Sequence, residues 1–383
     1  GGYLMKLGSL CEKNETRVAI TPDIAKNLIK RGCSIILENN YGSHLFDSKM
    51  YLEHGVIFAE KTDVLKCSML VQVNVPHDEI KHISSGTILL ALTKPFQDFS
   101  VIEALATQGV TTLSMEFVPR STRAQKMDAL SSQANLAGYV AVILASERLD
   151  KIMPMMMTPA GTLPPAKVFV IGAGVAGLQA IATARRLGAN VTAFDTRPVA
   201  QEQVKSLGAS FLKIDLGETG QTDQGYAKEL AAEQLDKQRE MMKKNCASSD
   251  IVITTAQVFG RKAPIIVTND MLSEMKQGSV VVDCAASTGG NVEAIEPGKI
   301  IEKNGVSLVG SLELSRNVAV HASQMYASNI YNFLNEFLTK DDKDDKVSLT
   351  LDTSDDIISS MLTTIKGDVV QPMLLKQFKE VGH

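Results

Sequence analysis

Short apolar runs rich in β-branched residues alternate with helical patterns over roughly the first third of the chain. A run of this kind, bounded by turn residues, is typical of a strand buried on both faces. The strand-like runs here span residues 34–38, 69–75, 87–92 and 111–115. Because strands that alternate with helices favour a parallel sheet covered by helices, this region is predicted to form an α/β domain.

The same alternation resumes at residue 167. The strand-like runs are Lys167–Ile171, Asn190–Phe194, 211–214, 251–255, Val280–Asp283 and 307–309, and a helical pattern covers 178–187. We therefore predict the α/β class with two Rossmann-like domains, each built on a parallel sheet. The first region has no phosphate-binding loop, so we expect it not to bind a nucleotide in the usual way.

Three glycines follow the strand Lys167–Ile171 in the spacing G-x-G-x-x-G. In a dinucleotide-binding loop, the glycine at Gly172 permits the tight turn, Gly174 lets the backbone approach a pyrophosphate, and Gly177 lets helix and strand pack closely. The following helix would offer its N-terminal N–H groups to the phosphates. The alternative is a glycine-rich turn that binds nothing, but the strand–loop–helix–strand context favours the nucleotide site.

An acidic residue, Asp195, ends the second strand of this unit, 18 residues after Gly177. At this place a carboxylate accepts hydrogen bonds from the adenosine ribose hydroxyls and repels a 2′-phosphate, which favours NAD over NADP. Arg197 lies two residues further on, and an arginine can hold a 2′-phosphate. With Asp195 present, we interpret Arg197 as the lesser influence.

A polar, basic segment at 119–132 leads into an apolar helix predicted at 127–149. One interpretation is structural, with Asp128 capping the helix. The functional interpretation is that four polar residues of the segment line a cleft between the domains, where ligands bind in α/β proteins. These residues are Arg120, Gln125, Asp128 and Ser131.

Three further segments complete the predicted organisation. Residues 153–165 contain too many prolines for a helix and are expected to form a linker with its methionines packed inside. The small and polar segment 217–225 is either an idle loop or a lid over the site. A helix at 321–338 is expected to return the chain to the first domain, so that the domains comprise residues 1–132 with 325–383, and 133–324.

Composition narrows the class of protein. The chain has 383 residues, of which 44% are hydrophobic and 21% charged, as expected for a globular protein of two domains. A net charge of −4 gives no indication of nucleic-acid binding. The five cysteines and six histidines are dispersed, so neither a disulfide framework nor a metal site is expected. No apolar run approaches about 18 residues, so we expect no transmembrane segment.

Several long motifs resemble the NAD(H)-binding domain I of proton-translocating nicotinamide nucleotide transhydrogenase. They are PRSTRAQKMDALSSQANLAGY at 119–139, PMMMTPAGTLPPAKVFVIGAGVAGLQAIATARRLGANVTAFDTR at 154–197, GYAKEL at 225–230, SVVVDCAASTGGN at 279–291 and EPGKI at 296–300. The resemblance covers nearly the whole chain. Domain I is similar in fold to alanine dehydrogenase, and RVAITP at 17–22 is shared with that enzyme.

The resemblance implies a soluble homodimer that binds NAD(H) and exchanges hydride directly with NADP(H) on a separate domain III. A membrane domain II would couple this reaction to proton movement, with domain I facing the cytosol or an organelle matrix. Arg120, Gln125, Asp128 and Ser131 would contact the nicotinamide and the facing NADP ribose, and Tyr226 would begin a mobile loop. The expected NAD(H)-binding residues are Gly172, Gly174, Val175, Gly177, Asp195, Thr196, Arg197, Gly225, Tyr226 and Ala256.

Two rival functions stay open at this point. An amino-acid dehydrogenase is disfavoured because Asn74 stands where alanine dehydrogenase has a substrate-binding lysine, Ser287 stands at its catalytic aspartate, and residues 88–93 contain no histidine. Domain I members commonly have a glutamate at the position of Ser287, so the role of this residue is undefined. A non-catalytic NAD(H)-binding module is the other rival, and the polar segment at 119–132 argues against it.

Overall fold

The computed structural model describes residues 5–214 and 231–379. Two compact units divide the chain, one formed by Gly1–Gln133 with Arg316–His383 and the other by Ala134–Ser315. The chain therefore passes from the second unit back to the first between Ser315 and Arg316, earlier in the sequence than the expected boundary at 324–325. We call these unit 1 and unit 2.

Each apolar run predicted as a strand overlaps with one, and the structure adds strands that were not predicted, among them β1 in the interior of the unit 1 sheet. In chain order the strands are β1 (Met5–Ser9), β2 (Cys33–Glu38), β3 (Ile57–Ala59), β4 (Met69–Asn74), β5 (Ile88–Leu92), β6 (Thr111–Ser114), β7 (Met156–Thr158), β8 (Gly161–Leu163), β9 (Lys167–Ile171), β10 (Asn190–Phe194), β11 (Ser210–Phe211), β12 (Ile251–Thr254), β13 (Val280–Asp283), β14 (Ile300–Lys303), β15 (Val306–Val309), β16 (Leu338–Lys340), β17 (Val347–Leu349), β18 (Leu362–Ile365) and β19 (Asp368–Val369).

The helices connect these strands. They are α1 (Pro22–Lys30), α2 (Ser48–Leu52), α3 (Lys61–Val64), α4 (Phe99–Thr107), α5 (Ala129–Arg148), α6 (Val175–Arg186), α7 (Ala200–Ser206), α8 (Ala232–Ser248), α9 (Asn269–Ser273), α10 (Ala319–Phe337), α11 (Asp356–Met361) and α12 (Pro372–Leu374). Helix α5 begins two residues later than predicted, because a short 3₁₀ helix, Gln125–Met127, precedes it.

Both main sheets have the strand order of a doubly wound fold. Unit 1 contains β19-β18-β6-β5-β4-β1-β2-β3, and unit 2 contains β11-β10-β9-β12-β13-β15-β14. The pairs are parallel except at one edge of each sheet, where β18 pairs antiparallel with β6 and β19, and β14 with β15. The predicted fold class, two Rossmann-like domains with parallel sheets, is confirmed.

Alternating strand residues cover both faces of the unit 1 sheet. In β4, Met69 and Val71 pack into one apolar cluster together with Leu28 of α1 and Phe333 of α10. Leu70, between them in sequence, packs into another cluster with Leu105 of α4. Helix α10 thus contributes to the core of unit 1, as its apolar pattern predicts.

The segment 153–165, predicted to be a linker with buried methionines, contains regular structure. Within it, β7 and β8 form a two-stranded antiparallel hairpin in which every strand residue is exposed. Met153 is buried, but Met157 is 76% exposed, and Met155 and Met156 are exposed as well. The expectation that the methionines pack inside is therefore wrong for all but Met153.

One described helix, α5, has the length and apolar composition that crossing a membrane requires. A core helix of a globular domain has the same character, so this is weak evidence of a span. Ser131, Gln133 and Asn135 interrupt the apolar residues of α5, so the sequence has no unbroken apolar run there.

Candidate functional site: the nucleotide cradle of unit 2 and the polar loop of unit 1

The glycine loop between β9 and α6 has the geometry that its spacing predicts. Gly172 has φ +101°, a conformation that L-residues avoid. A Cβ atom on Gly177 would overlap the carbonyl oxygen of Gly172, so the close packing of helix on strand requires glycine there. A Cβ atom on Gly174 would meet no atom within 4 Å, so its backbone borders open space. The loop therefore fits a pyrophosphate set against the N-terminus of α6, where Val175 is the first helical residue.

The loop lies at the point where the strand order of unit 2 reverses. Strand β9 pairs with β10 on one side and with β12 on the other, so two crossover connections leave in opposite directions. Ligands of open α/β sheets bind outside the carboxyl ends of the strands at this point. Thr255, just after β12, donates through Oγ1 to the carbonyl oxygen of Gly172 at 2.9 Å and so joins the two sides.

Asp195 follows β10 directly and is paired with Arg197. Its carboxylate accepts from the N–H of Ala173 at 2.8 Å and from the N–H of Arg197 at 2.8 Å. The Arg197 guanidinium adds two bonds of 3.1 Å. Thr196, between them, is exposed. Asp195 is thus at the predicted strand end, while its partnership with Arg197 is closer than the sequence indicated.

A second network holds the loop after β12. Asn291 is fully buried; its Oδ1 accepts from the N–H of Ala256 at 3.0 Å, and its Nδ2 donates to the carbonyl oxygens of Ala256 and Pro264. The buried carboxylate of Asp283, at the end of β13, accepts from the N–H groups of Ala285, Asn291 and Val292. Burial raises the pKa of Asp283 against the opposing effect of these N–H donors.

Sequence reasoning did not assign Asn291 or Asp283 a role. The available signal was the strand end at Asp283 followed by a glycine-rich turn, since strand carboxyl ends border the ligand crevice in this architecture. The turn itself needs glycine, because Gly289 and Gly290 both have positive φ. What the sequence could not reveal is that the asparagine after them reaches back to the loop after β12.

The polar loop of unit 1 contains the helix cap that the structural interpretation predicts. Asp128 caps α5, accepting from the N–H of Ser131 at 3.0 Å and from its Oγ at 2.6 Å. Ala124 and Met127 are fully buried, whereas Arg120 and Gln125 are exposed. The buried Ala124 and Met127 therefore anchor the loop in the apolar core of unit 1, while its polar side chains face solvent.

Ion pairs and amide bonds within unit 1 fix the backbone of this loop. The Arg123 guanidinium contacts Asp355 at 2.7 Å, Asp356 at 2.8 Å and Glu336 at 3.4 Å. The side-chain amides of Asn329 and Asn332, on α10, both donate to the carbonyl oxygen of Lys126. None of these partners was identified from the sequence, because they lie more than 200 positions away along the chain.

The structure thus gathers the predicted residues into two groups. Gly172, Gly174, Val175, Gly177, Asp195, Thr196, Arg197 and Ala256 border the strand ends of unit 2. Arg120, Gln125, Asp128 and Ser131 lie together in unit 1. Gly225 and Tyr226, and the lid expected at 217–225, fall outside the described residues.

At the corresponding strand ends of unit 1, buried carboxylates replace the glycine loop. Glu12 accepts from the N–H groups of Val73 and Asn74, and burial raises its pKa to about 8. Glu15 holds Arg17 through both carboxylate oxygens, and both side chains are buried. Burial opposes ionisation of Glu15, but the Arg17 guanidinium outweighs it and lowers the pKa to about 2.

The structure describes the two residues that the resemblance sets against the lysine and aspartate of alanine dehydrogenase. Asn74 donates through Nδ2 to Glu15 at 2.9 Å, and Ser287 lies half-buried in the 3₁₀ helix Ala286–Thr288. Among the described residues, no group of three or more His, Cys, Asp or Glu side chains is placed to hold a metal ion.

Comparison with known proteins places this architecture in a family. The chain belongs to the alanine dehydrogenase/PNT family: residues 11–137 match "Alanine dehydrogenase/PNT, N-terminal domain" and residues 141–372 match "Alanine dehydrogenase/PNT, C-terminal domain". The resemblance inferred from the sequence motifs is thereby confirmed.

Particular relatives refine the comparison. The chain is 41% identical to a Rickettsia prowazekii polypeptide named as the first part of NAD(P) transhydrogenase subunit alpha, over 98% of this chain and 99% of the relative. It is 30% identical to alanine dehydrogenase 2 of Staphylococcus aureus, over 76% of this chain and 75% of the relative. The crystal structure of transhydrogenase from Sinorhizobium meliloti aligns with a TM-score of 0.85 at 42% identity, over 95% of this chain and all of that one.

Proposed function

We propose that this chain is the NAD(H)-binding component of a proton-translocating NAD(P) transhydrogenase, which passes hydride from NADH to NADP⁺ held on a separate domain III. The observation that carries the proposal is the glycine loop between β9 and α6 of unit 2, from Gly172 to Gly177. It occurs in a chain that is similar over almost its full length to the first part of a transhydrogenase alpha subunit. The chain alone is an incomplete enzyme, because the second nucleotide belongs to another domain.

Unit 2 would hold the dinucleotide. The loop from Gly172 to Gly177 and the N-terminus of α6 would bind the pyrophosphate, and Asp195 the adenosine ribose. Ala256, fixed by Asn291, would border the nicotinamide half. Gly225 and Tyr226, outside the described residues, stay proposed as NAD(H)-binding residues. When bound, NADH supplies the hydride from its nicotinamide ring, and the protein supplies orientation. The carboxylate of Asp195 supports NADH rather than NADPH.

In unit 1, Arg120, Gln125, Asp128 and Ser131 would orient the nicotinamide and the facing NADP ribose. Direct hydride transfer needs reacting carbons about 3–3.5 Å apart, so small displacements of either ring matter. The support for this role is that the loop exposes Arg120 and Gln125 on a backbone fixed by Arg123 and α10. No proton-transfer residue is needed for hydride exchange between two nicotinamides, which agrees with Ser287 at the former acid/base position.

The assembly would comprise a homodimer of this chain, domain III and the membrane domain II, with this domain facing the cytosol or an organelle matrix.

The exposed β7–β8 hairpin supports the homodimer. An isolated two-stranded hairpin is marginally stable in water, and its methionines offer an adaptable apolar surface for a second copy. In sedimentation experiments, Met157→Asp should shift the chain towards monomer, whereas the exposed-surface control Glu302→Ala should not.

The function is tested by adding the chain to an NADP-carrying domain III and following hydride exchange. NADH oxidation that requires both components supports the proposal. NADH binding without exchange in the mixture would instead support a non-catalytic module.

A further inference from the structure

The Arg123 guanidinium connects the polar loop of unit 1 to the start of α11. Its Nη2 donates to Oδ1 of Asp355 at 2.7 Å and its Nη1 to Oδ2 at 3.0 Å, so both carboxylate oxygens are engaged. Nη2 also donates to Asp356 at 2.8 Å, and Nη1 to Glu336 of α10 at 3.4 Å. A bidentate arginine–carboxylate pair fixes direction as well as distance. Arg123 is therefore held in one orientation although it lies on a surface loop.

A second anchor lies three residues further along the loop. The side-chain amides of Asn329 and Asn332 donate to the carbonyl oxygen of Lys126 at 3.0 and 2.8 Å. Because the two asparagines are three positions apart on α10, they share one face of that helix. The Oδ1 of Asn329 accepts from the hydroxyl of Ser132 at 2.7 Å, which orients its amide. Two oriented donors thus fix the Lys126 carbonyl group to α10.

Gln125 lies between these two anchors. The nearby Ala124 and Met127 are fully buried, whereas the Gln125 side chain is exposed. The carbonyl oxygen of Gln125 accepts from the N–H of Asp128 at 3.2 Å, which joins its backbone to the start of α5. The direction in which the exposed side chain leaves the protein therefore depends on a backbone that is held on both sides.

We propose that Arg123 and Asp355 are positioning residues for hydride transfer, which act by holding the backbone of Gln125. The inference rests on the proposed function, in which Gln125 orients the nicotinamide. Since transfer is sensitive to small displacements of the rings, loosening this backbone should slow the transfer step. NADH affinity should stay unchanged, because the dinucleotide is proposed to bind in unit 2 whereas both residues belong to unit 1.

The test removes the acidic partners of Arg123 while it keeps the helix cap. Asp355 caps α11 by accepting from the N–H of Ile357, and asparagine caps a helix equally well. Asp355→Asn/Asp356→Asn should therefore leave α11 intact and slow stopped-flow hydride transfer to an NADP-carrying domain III at least ~5-fold. Arg123→Lys should slow it as well, because an ammonium group cannot replace the bidentate fork.

A matched control and a double-mutant cycle show whether the effect passes through Gln125. Arg31 is the control, because its guanidinium also bonds to α10, at Asn335 and Leu338, but outside the polar loop. Arg31→Ala should transfer hydride at the unaltered rate. In the Gln125→Asn background, the acid double variant should slow transfer little further, because both changes act on one side chain. Losses that multiply in the combined variant, or an unaltered rate in the acid double variant, overturn the inference.

Amide hydrogen exchange separates this inference from the proposed function. Without any nucleotide, the amides of residues 122–127 should exchange faster in the acid double variant than in the unaltered chain. Faster exchange, combined with no hydride transfer by the unaltered chain, would mean that the anchor of Gln125 stands and the proposed function is wrong. Unchanged exchange and an unaltered transfer rate would overturn the inference and leave the proposed function intact.

Discussion

The side-chain amide of Asn291 pairs with the backbone of Ala256 in both directions. Oδ1 accepts from the N–H of Ala256 at 3.0 Å, and Nδ2 donates to its carbonyl oxygen at 2.8 Å. Just after the end of β12, the amide thereby makes the two backbone hydrogen bonds that a neighbouring strand would otherwise make. Because Asn291 has no exposed surface, this bond depends on the amide alone and not on water.

Asn291→Asp should weaken NADH binding. A carboxylate there would direct an oxygen at the carbonyl oxygens of Ala256 and Pro264, so two hydrogen bonds become repulsive contacts. Losing a buried hydrogen bond costs about 1–3 kcal/mol, so the affinity should fall roughly 5- to 150-fold. NADH titration measures the change, and Asn269→Asp, at an exposed position of α9, is the control. Equal losses of NADH affinity in the two variants would contradict a specific contribution of Asn291 to NADH binding.

Glu15 should stabilise unit 1 in a pH-dependent manner. Its pKa is lowered from 4.5 to about 2 in the folded chain, so its contribution is complete above 4.5 and is lost as the pH falls towards 2. The shift corresponds to roughly 3 kcal/mol. Urea unfolding should therefore show Glu15→Gln less stable at neutral pH, with the gap narrowing below pH 4.5, while Glu103→Gln, at an exposed position of α4, matches the unaltered chain. A gap that is constant across this range would contradict the assigned pKa.

The chain should not oxidise alanine with NAD⁺. By the resemblance of the sequence motifs, we expect Asn74 and Ser287 to stand at the positions of the substrate lysine and catalytic aspartate of alanine dehydrogenase. The structure shows that the amide nitrogen of Asn74 donates to Glu15. Spectrophotometry of NADH formation checks this, with an authentic alanine dehydrogenase in the same buffer as positive control. Turnover above background would favour the amino-acid dehydrogenase.

Gln125→Asn should separate binding from transfer. The variant shortens an exposed, uncharged side chain by one methylene group, so NADH affinity should stay nearly unchanged. Hydride transfer to domain III should slow at least ~10-fold, or about 1.4 kcal/mol of barrier, because the two rings are misplaced. Stopped-flow rates at saturating nucleotide measure it, with Gln97→Asn, also exposed in unit 1, as control. A wild-type rate would make Gln125 an ordinary loop residue.

Much of the fold could be predicted from the sequence because local patterns determine it. The run Lys167–Ile171, the glycine spacing and the end of Asn190–Phe194 each specify their own geometry, and the structure reproduces all three. Strands β14 and β18, by contrast, were not predicted from the sequence, for a physical reason. Both occupy antiparallel positions near sheet edges, where short mixed-polarity runs suffice.

The site could be predicted only in part. Asp195 was recognisable because its distance from the glycines is fixed by one crossover helix. By contrast, Arg123 and Asn291 act through partners distant in sequence, so no local pattern marks them. The exposed methionines of β7–β8 misled the prediction because methionine is usually a core residue, and only the burial of each side chain distinguishes the two cases.

The most direct measurement of the central claim is hydride exchange in a reconstituted mixture. The chain, with NADH, is combined with an NADP-carrying domain III, and the reduction of that bound NADP⁺ is followed with either component omitted in turn. Our account predicts rapid reduction only in the complete mixture, slowed by Gln125→Asn but not by Gln97→Asn. Reduction that proceeds without this chain, or no reduction in the complete mixture although NADH binds, would contradict it.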